Sequence, residues 1–154
     1  MIAPDDPRLE DVRAVLERHL AFARATSPPE HVHALDLEGL VDPTVVFFSA
    51  RDERTVVAVG AIRRLDDAHA ELKSMHTLEE VRGRGIGRAM LDHLLGYARA
   101  QGYRQVSLET GTMEEFAPAR ALYAQAGFEP CAPFGRYTVN PYSTCMTLRL
   151  APRS

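Results

Sequence analysis

Three arginines and three glycines fall within seven residues, Arg82-Gly83-Arg84-Gly85-Ile86-Gly87-Arg88. Ahead of them, Ala68 to Thr77 reads as a strand. Behind them Met90, Leu91, Leu94, Leu95 and Ala98 recur at helical spacing. Glycines at a strand-to-helix junction let the backbone approach a ligand that a Cβ would hold away. The unbonded N–H groups of the helix's first turn then face that ligand, and with the helix dipole they favour an anion, most often phosphate. The stretch therefore reads as a diphosphate cradle built on the N–H groups from Gly83 to Arg88, with Arg82, Arg84 and Arg88 adding positive charge.

Spacing excludes two common cradles. A Walker loop ends in Gly-Lys-Ser/Thr, whereas Arg88 follows Gly87 here. A dinucleotide fingerprint needs G-x-G-x-x-G after the first strand of a βαβ unit, whereas this chain has G-x-G-x-G about halfway along.

The elements around the cradle follow from pattern. Met1-Ile2-Ala3 suits a short edge strand. Asp5-Asp6-Pro7 suits a helix start, with Pro7 in the first helical position and Leu9, Val12, Leu16, Leu20 and Ala23 as the buried stripe. Ser27-Pro28-Pro29 ends that helix, and Pro29 to Leu40 is a second, shorter helical or irregular segment. Val45 to Phe48 and Thr55 to Leu65 form a hairpin around Arg51–Arg54, and Asp66-Asp67 turns into Ala68–Thr77. The helix after the cradle runs to Ala100, with Gly102 as its stop. Gln105–Glu109 is a strand, Thr110-Gly111-Thr112 a loop, and Phe116–Ala126 a helix stopped by Gly127. Strands near Phe128–Cys131 and Thr144–Leu150 close the chain.

Composition bounds the rest. A chain of 154 residues is one domain, spanning 1–154, with room for a full core. A net charge of −3 argues against a general nucleic-acid binder. Lys73 is the only lysine. Cys131 and Cys145 lack metal-ligand spacing and read as two reduced thiols. His31-x-His33 has no third ligand evident nearby, so no metal is expected. No apolar leader or long apolar run is seen, which points to a cytoplasmic protein away from membranes.

Arg82-x-x-Gly85-x-Gly87 resembles the acetyl-CoA-binding motif of the GCN5-related N-acetyltransferases, the GNAT superfamily. Ala119-x-x-Leu122-Tyr123-x-x-x-Gly127-Phe128 resembles the family's second signature. Glu71–Met75, Ser107–Gly111 and Phe116–Ala119 resemble a bacterial subfamily of small, largely uncharacterised members. The element order also matches. One departure stands out: Phe116 occupies a position where many members carry a cofactor-contacting Asn. The resemblance implies an α/β (α+β) fold, a mixed and mostly antiparallel sheet with splayed parallel central strands and helices on both faces. It also implies acetyl-CoA as cosubstrate and an amine acceptor on a small molecule or peptide. Homodimers are common in the superfamily.

The resemblance further implies roles. Acetyl transfer needs a neutral amine, a donor for the developing oxyanion and a proton for the departing thiolate. The pantetheine arm pairs with the strand edge at Met75-His76-Thr77, and the Met75 N–H polarises the thioester carbonyl. Tyr123 matches the tyrosine that protonates the thiolate. Glu71 lies where a glutamate acts as base in the histone acetyltransferase branch, and Glu109 competes for that role, directly or through water. His76 is an attractive base by chemistry, but a structural or surface role is the favoured reading. Lys73 suits a phosphate or an acidic substrate, or equally a salt bridge with Glu71 or Glu109. The segment Tyr137–Tyr142, with Arg136 beside it, suits either a loop over the acceptor site, fitting a small carboxylated acceptor, or ordinary loop packing. His69 and His93 carry no special signal. Other readings stay open: a different acyl-CoA, an oxygen acceptor, or a CoA-binding module without catalysis.

Overall fold

Strands β2 (Val45–Asp52) and β3 (Thr55–Arg64) are rich in β-branched and aromatic residues, and their alternation sends side chains to both faces of the sheet. Phe48, Val57 and Ile62 enter one hydrophobic cluster; Phe47, Val56, Val59 and Ala61 enter another. In the computed structural model, which describes residues 1–26, 37–135 and 137–150, both faces are covered. Helices α1 (Glu10–Thr26) and α2 (Leu37–Leu40) contribute Val12, Val15, Leu16 and Leu40 to the second cluster. Helices α3 (Ile86–Ala100) and α4 (Ala117–Gln125) pack on the opposite face.

The sheet has seven strands in the order β1-β2-β3-β4-β5-β7-β6, where β1 is Ile2–Pro4, β4 His69–Thr77, β5 Gln105–Gly111, β6 Glu129–Cys131 and β7 Ser143–Arg149. Among the described residues only β4 and β5 pair in parallel. Helix α3 buries Met90, Leu91, Leu94, Leu95 and Ala98. Each large side chain so buried contributes about 1.5–3 kcal/mol, so tertiary packing holds this helix over the sheet. Gly60 permits the close approach: a Cβ there would sit 3.1 Å from Leu94 Cδ1 and 3.2 Å from Met90 Cγ.

Two irregularities shape the centre. The parallel ladder holds for three pairs, His69↔Gln105, Ala70↔Val106 and Glu71↔Ser107, after which β4 and β5 diverge. Beyond Glu71, β4 stays on β3 while β5 stays on β7 through Gly111↔Ser143. On its β3 side, β4 carries a bulge: Ala61 pairs with Lys73 and Val59 with His76, so Ser74 and Met75 oppose Gly60 alone. Ser74 takes the left-handed conformation at φ 56°.

Several sequence-based bounds move. Helix α1 starts at Glu10, not at Pro7, because Asp5 is bound to β2. Its N–H donates to Phe47 O (3.0 Å) and its carboxylate accepts from Ser49 Oγ and from Arg51 Nη2 (3.0 Å). Leu9 is therefore 46% exposed, and Val15 takes the buried place beside Leu16. Strand β5 continues through Thr110 and Gly111, predicted as loop, since both pair with β7. Phe116 ends a 3-10 turn over Glu114–Phe116, and α4 begins one residue later. Another 3-10 turn, Glu79–Val81, precedes the cradle. Of the segment Pro29–Leu40, Leu37–Leu40 is helical; Ser27–Asp36, with His31 and His33, and Arg136 lie outside the described residues.

Candidate active site

The cradle is assembled by backbone conformation. Gly83 and Gly85 are left-handed at φ 84° and 80°, and Gly85 caps α3 without a side-chain bond. The ladder of α3 begins with Ala89 N donating to Gly85 O at 3.0 Å. The N–H groups of Ile86, Gly87 and Arg88 thus precede the first intrahelical bond, as in any first turn. A Cβ built on Gly83 or Gly85 would meet nothing within 4 Å, so open space lies over both. The arginines flank this turn. Arg82 donates from Nε to Thr77 O at 3.3 Å, and Arg88 pairs with Asp92 at 3.0 Å. A group bearing a diphosphate fits here by the open cradle and the amides beneath it.

A cavity of about 370 Å³ extends from the cradle. Met75, His76, Thr77, Arg82, Gly83, Gly85, Ile86, Gly87, Arg88 and Tyr123 all border it. Arg84, Glu71 and Glu109 do not. The cavity touches both faces of the sheet beside the diverging end of β4. Tyr123, buried on the α4 face, directs its hydroxyl to Met75 Sδ at 3.8 Å. Burial pushes its phenol up to about 12, so it keeps its proton at neutral pH. In the adjacent bulge, Ser74 Oγ is buried with no hydrogen-bond partner among the described residues.

On the α1 face stands a pair that sequence reasoning missed in part. His19 of α1 and His76 of β4 bring their Nδ1 atoms to 3.3 Å, with ring centroids 5.2 Å apart. Phe22 lies edge-on to His76 and to Phe116, 5.1 Å from the latter, and all four border the cavity. His19 follows Val12, Val15 and Leu16 along the buried stripe of α1. A polar ring on an apolar stripe was the available signal. Phe116, at the position of the departure from the family pattern, packs its ring against Gly111, where a Cβ would come within 2.8 Å of its Cγ.

The two carboxylates lie deeper along the same face. By strand alternation Glu71 faces away from Ala70 and Leu72, and Glu109 away from Leu108. Glu71 is 2% exposed and accepts from the Tyr137 hydroxyl and from Lys73 Nζ at 3.3 Å. Lys73 Nζ also lies 2.5 Å from the Tyr137 hydroxyl. Burial, then the Glu71 charge, raise the Tyr137 phenol far above its ordinary value, so it is the proton donor in this cluster. Of the roles weighed for Lys73, the salt bridge with Glu71 is the one formed. Glu109 accepts from Ser143 Oγ at 3.1 Å. His69, the first residue of β4, meets Ser107 Oγ through Nε2 at 2.6 Å, and His93 packs on Phe48. Cys131 and Cys145 are free thiols opposite each other across β6 and β7. No group of three or more potential metal ligands occurs among the described residues. No helix among them is long and apolar enough to cross a membrane.

The chain matches the acetyltransferase (GNAT) family over residues 12–128. It is 40% identical to the uncharacterised N-acetyltransferase YsnE of Bacillus subtilis over 95% of this chain and 97% of that one. It is 38% identical to the uncharacterised N-acetyltransferase YedL of Escherichia coli over 97% and 94% of the two chains. The crystal structure of a GNAT family acetyltransferase from Elizabethkingia anophelis with acetyl-CoA bound superposes with a TM-score of 0.69 at 16% identity, covering 97% of each chain.

Proposed function

The chain belongs to the acetyltransferase (GNAT) family, and from that premise we propose that it is an acetyl-CoA-dependent N-acetyltransferase acting on a primary amine of a small molecule or peptide in the cytoplasm. The observation that carries this reading is the course of the cavity, from the open glycine cradle to both faces of the diverging end of β4. Acetyl-CoA supplies the acetyl group as an activated thioester.

The chain's own residues supply the rest. The amides from Gly83 to Arg88 hold the diphosphate, with Arg82, Arg84 and Arg88 lending charge. Met75-His76-Thr77, unpaired with β5, offer the edge along which the pantetheine arm binds, and the Met75 N–H polarises the carbonyl. Tyr123, protonated and at the cavity wall, donates to the departing sulfur. Glu71 and Glu109 give the acceptor side negative charge and take up, through water, the proton that the amine has shed. Glu71 needs that water because it does not border the cavity.

The test is free-thiol release from acetyl-CoA across a broad panel of primary amines. Transfer to one class of amine is the expected result. Tight CoA binding with no transfer to any amine would replace this reading with a non-catalytic CoA-binding module. Transfer only from a longer acyl-CoA, or only to alcohols, would change the donor or the acceptor class instead.

A further inference from the structure

The acceptor amine must give up a proton on the side of the thioester away from Tyr123. The Tyr123 hydroxyl reaches the strand on the α4 face, at Met75, whereas His76 and His19 meet on the α1 face. Both carboxylates stand outside the cavity, and both imidazoles border it. We propose that His19 and His76 work as one base, a shared-proton pair that takes the proton of the acceptor amine directly. This rests on the acetyl-transfer reading above.

The geometry dictates how such a pair behaves. With Nδ1 facing Nδ1 at 3.3 Å, one ring must carry Nδ1–H and the other must accept it. The donor ring therefore has a bare Nε2, and the acceptor ring carries its proton on Nε2. A neutral pair thus always presents one open nitrogen. In the step, the neutral amine's lone pair forms the C–N bond to the thioester carbon, whose π pair moves to oxygen. An N–H bond of the resulting, far more acidic cationic nitrogen then breaks, its electron pair staying on nitrogen. An N–H bond forms at the open Nε2, and the resulting cation is shared across the Nδ1 contact until water takes the proton.

The surroundings keep the pair neutral between turnovers. Burial, with the charge of Lys73, depresses His19 to about 4. Burial, His19 and the cations Arg82 and Arg18 depress His76 to about 4, with Glu80 opposing them. Neither ring forms an ion pair with a carboxylate among the described residues. The pair's open nitrogen is therefore unprotonated across the neutral range, and a proton taken up leaves quickly for water.

The experiment has two arms. Nitrogen-15 NMR of histidine-labelled, ligand-free protein reads the pair without any turnover. One ring should show a protonated Nδ1 and the other a bare Nδ1, and His19→Gln should change the His76 tautomer signal. Two rings that both carry their proton on Nε2 would overturn the proposal. In the kinetic arm, His76→Gln and His19→Gln should each lower kcat/KM for the best amine by about 100-fold, the size of a lost general base. The double variant should fall little further, because the rings act as a unit. CoA affinity by calorimetry should stay within about threefold of the parent if the loss is chemical. Single variants within twofold of the parent, or a loss matched by equal weakening of CoA, would overturn it. A parent protein with no transfer to any amine defeats the functional reading instead, and the NMR arm still reports whether the proton is shared.

Discussion

The hydroxyl of Tyr123 lies 3.8 Å from the sulfur of Met75, the second residue of the bulge in β4. The contact joins α4 to the point where the sheet opens, and among the described residues no stronger partner holds the hydroxyl. Tyr123→Phe should therefore cost under about 1 kcal/mol of stability, since a thioether is a weak acceptor. The same change should lower kcat well before it alters cofactor affinity. Because the phenol titrates at about 12, the parent rate should show no alkaline fall from this group below roughly pH 11. Equal kcat for the two proteins would remove the acid role.

Gly85 occupies a conformation that L side chains rarely adopt, at φ 80°, with open space above it. Gly85→Val should cost about 1–2 kcal/mol in backbone strain and put its side chain where the diphosphate binds. Gly87→Val adds contact with Thr77 Oγ1, since a Cβ there already stands 3.4 Å away. Calorimetry should find CoA binding lost in both variants while circular dichroism still reports a folded protein. Unchanged affinity in a folded variant would dissociate the glycines from the cradle.

Glu71 and Lys73 form a salt bridge with side chains 3% and 7% exposed. Removing one charge of such a buried pair takes away the other's counter-charge, so Glu71→Gln should destabilise by up to about 3–5 kcal/mol. Glu71→Gln with Lys73→Met should recover much of that loss in urea melts. In rate measurements, a water-relayed base predicts lower kcat/KM for Glu71→Gln at neutral pH, recovering toward the amine's own pKa. A profile that overlays the parent would leave Glu71 only its structural part.

Acid should weaken the fold through His19 and His76. Both have folded-state values lowered to about 4 from 6.5, so the unfolded chain binds more protons between those values. The stability they contribute is full above about pH 6.5 and is lost as pH falls toward 4. Thermal melting across that window should show Tm dropping. In the variant with His19→Gln and His76→Gln the drop should flatten, and an unchanged slope would assign the acid sensitivity elsewhere.

What the sequence disclosed was local. The cradle's conformation depends on glycine spacing within one turn, and the stripe Met90, Leu91, Leu94, Leu95 and Ala98 names the buried side of α3 directly. The start of α1 was misread because Asp5 is engaged by Ser49 and Arg51, and sequence proximity carries no trace of that bond. The His19 contact with His76 depends on how α1 lies across β4. The sealing of Glu71 by Tyr137 joins residues that meet only when the loop before β7 folds over the sheet. Such partners become visible once the strands are in register.

The short parallel ladder has a consequence for how the domain can be divided. On one side of it stand β1 to β4, on the other β5, β7 and β6, and each group is one continuous length of chain, meeting near Gln101–Arg104. Three residue pairs join the two parts of this sheet directly; hydrogen bonds such as His69 with Ser107 and Tyr137 with Glu71, and side-chain packing beneath α3 and α4, complete the joint. A chain cut between Gln101 and Arg104 yields two fragments that each keep their own strand ladders. Such halves are suited to reassembly as a split reporter, since the proposed CoA site is lined from both of them.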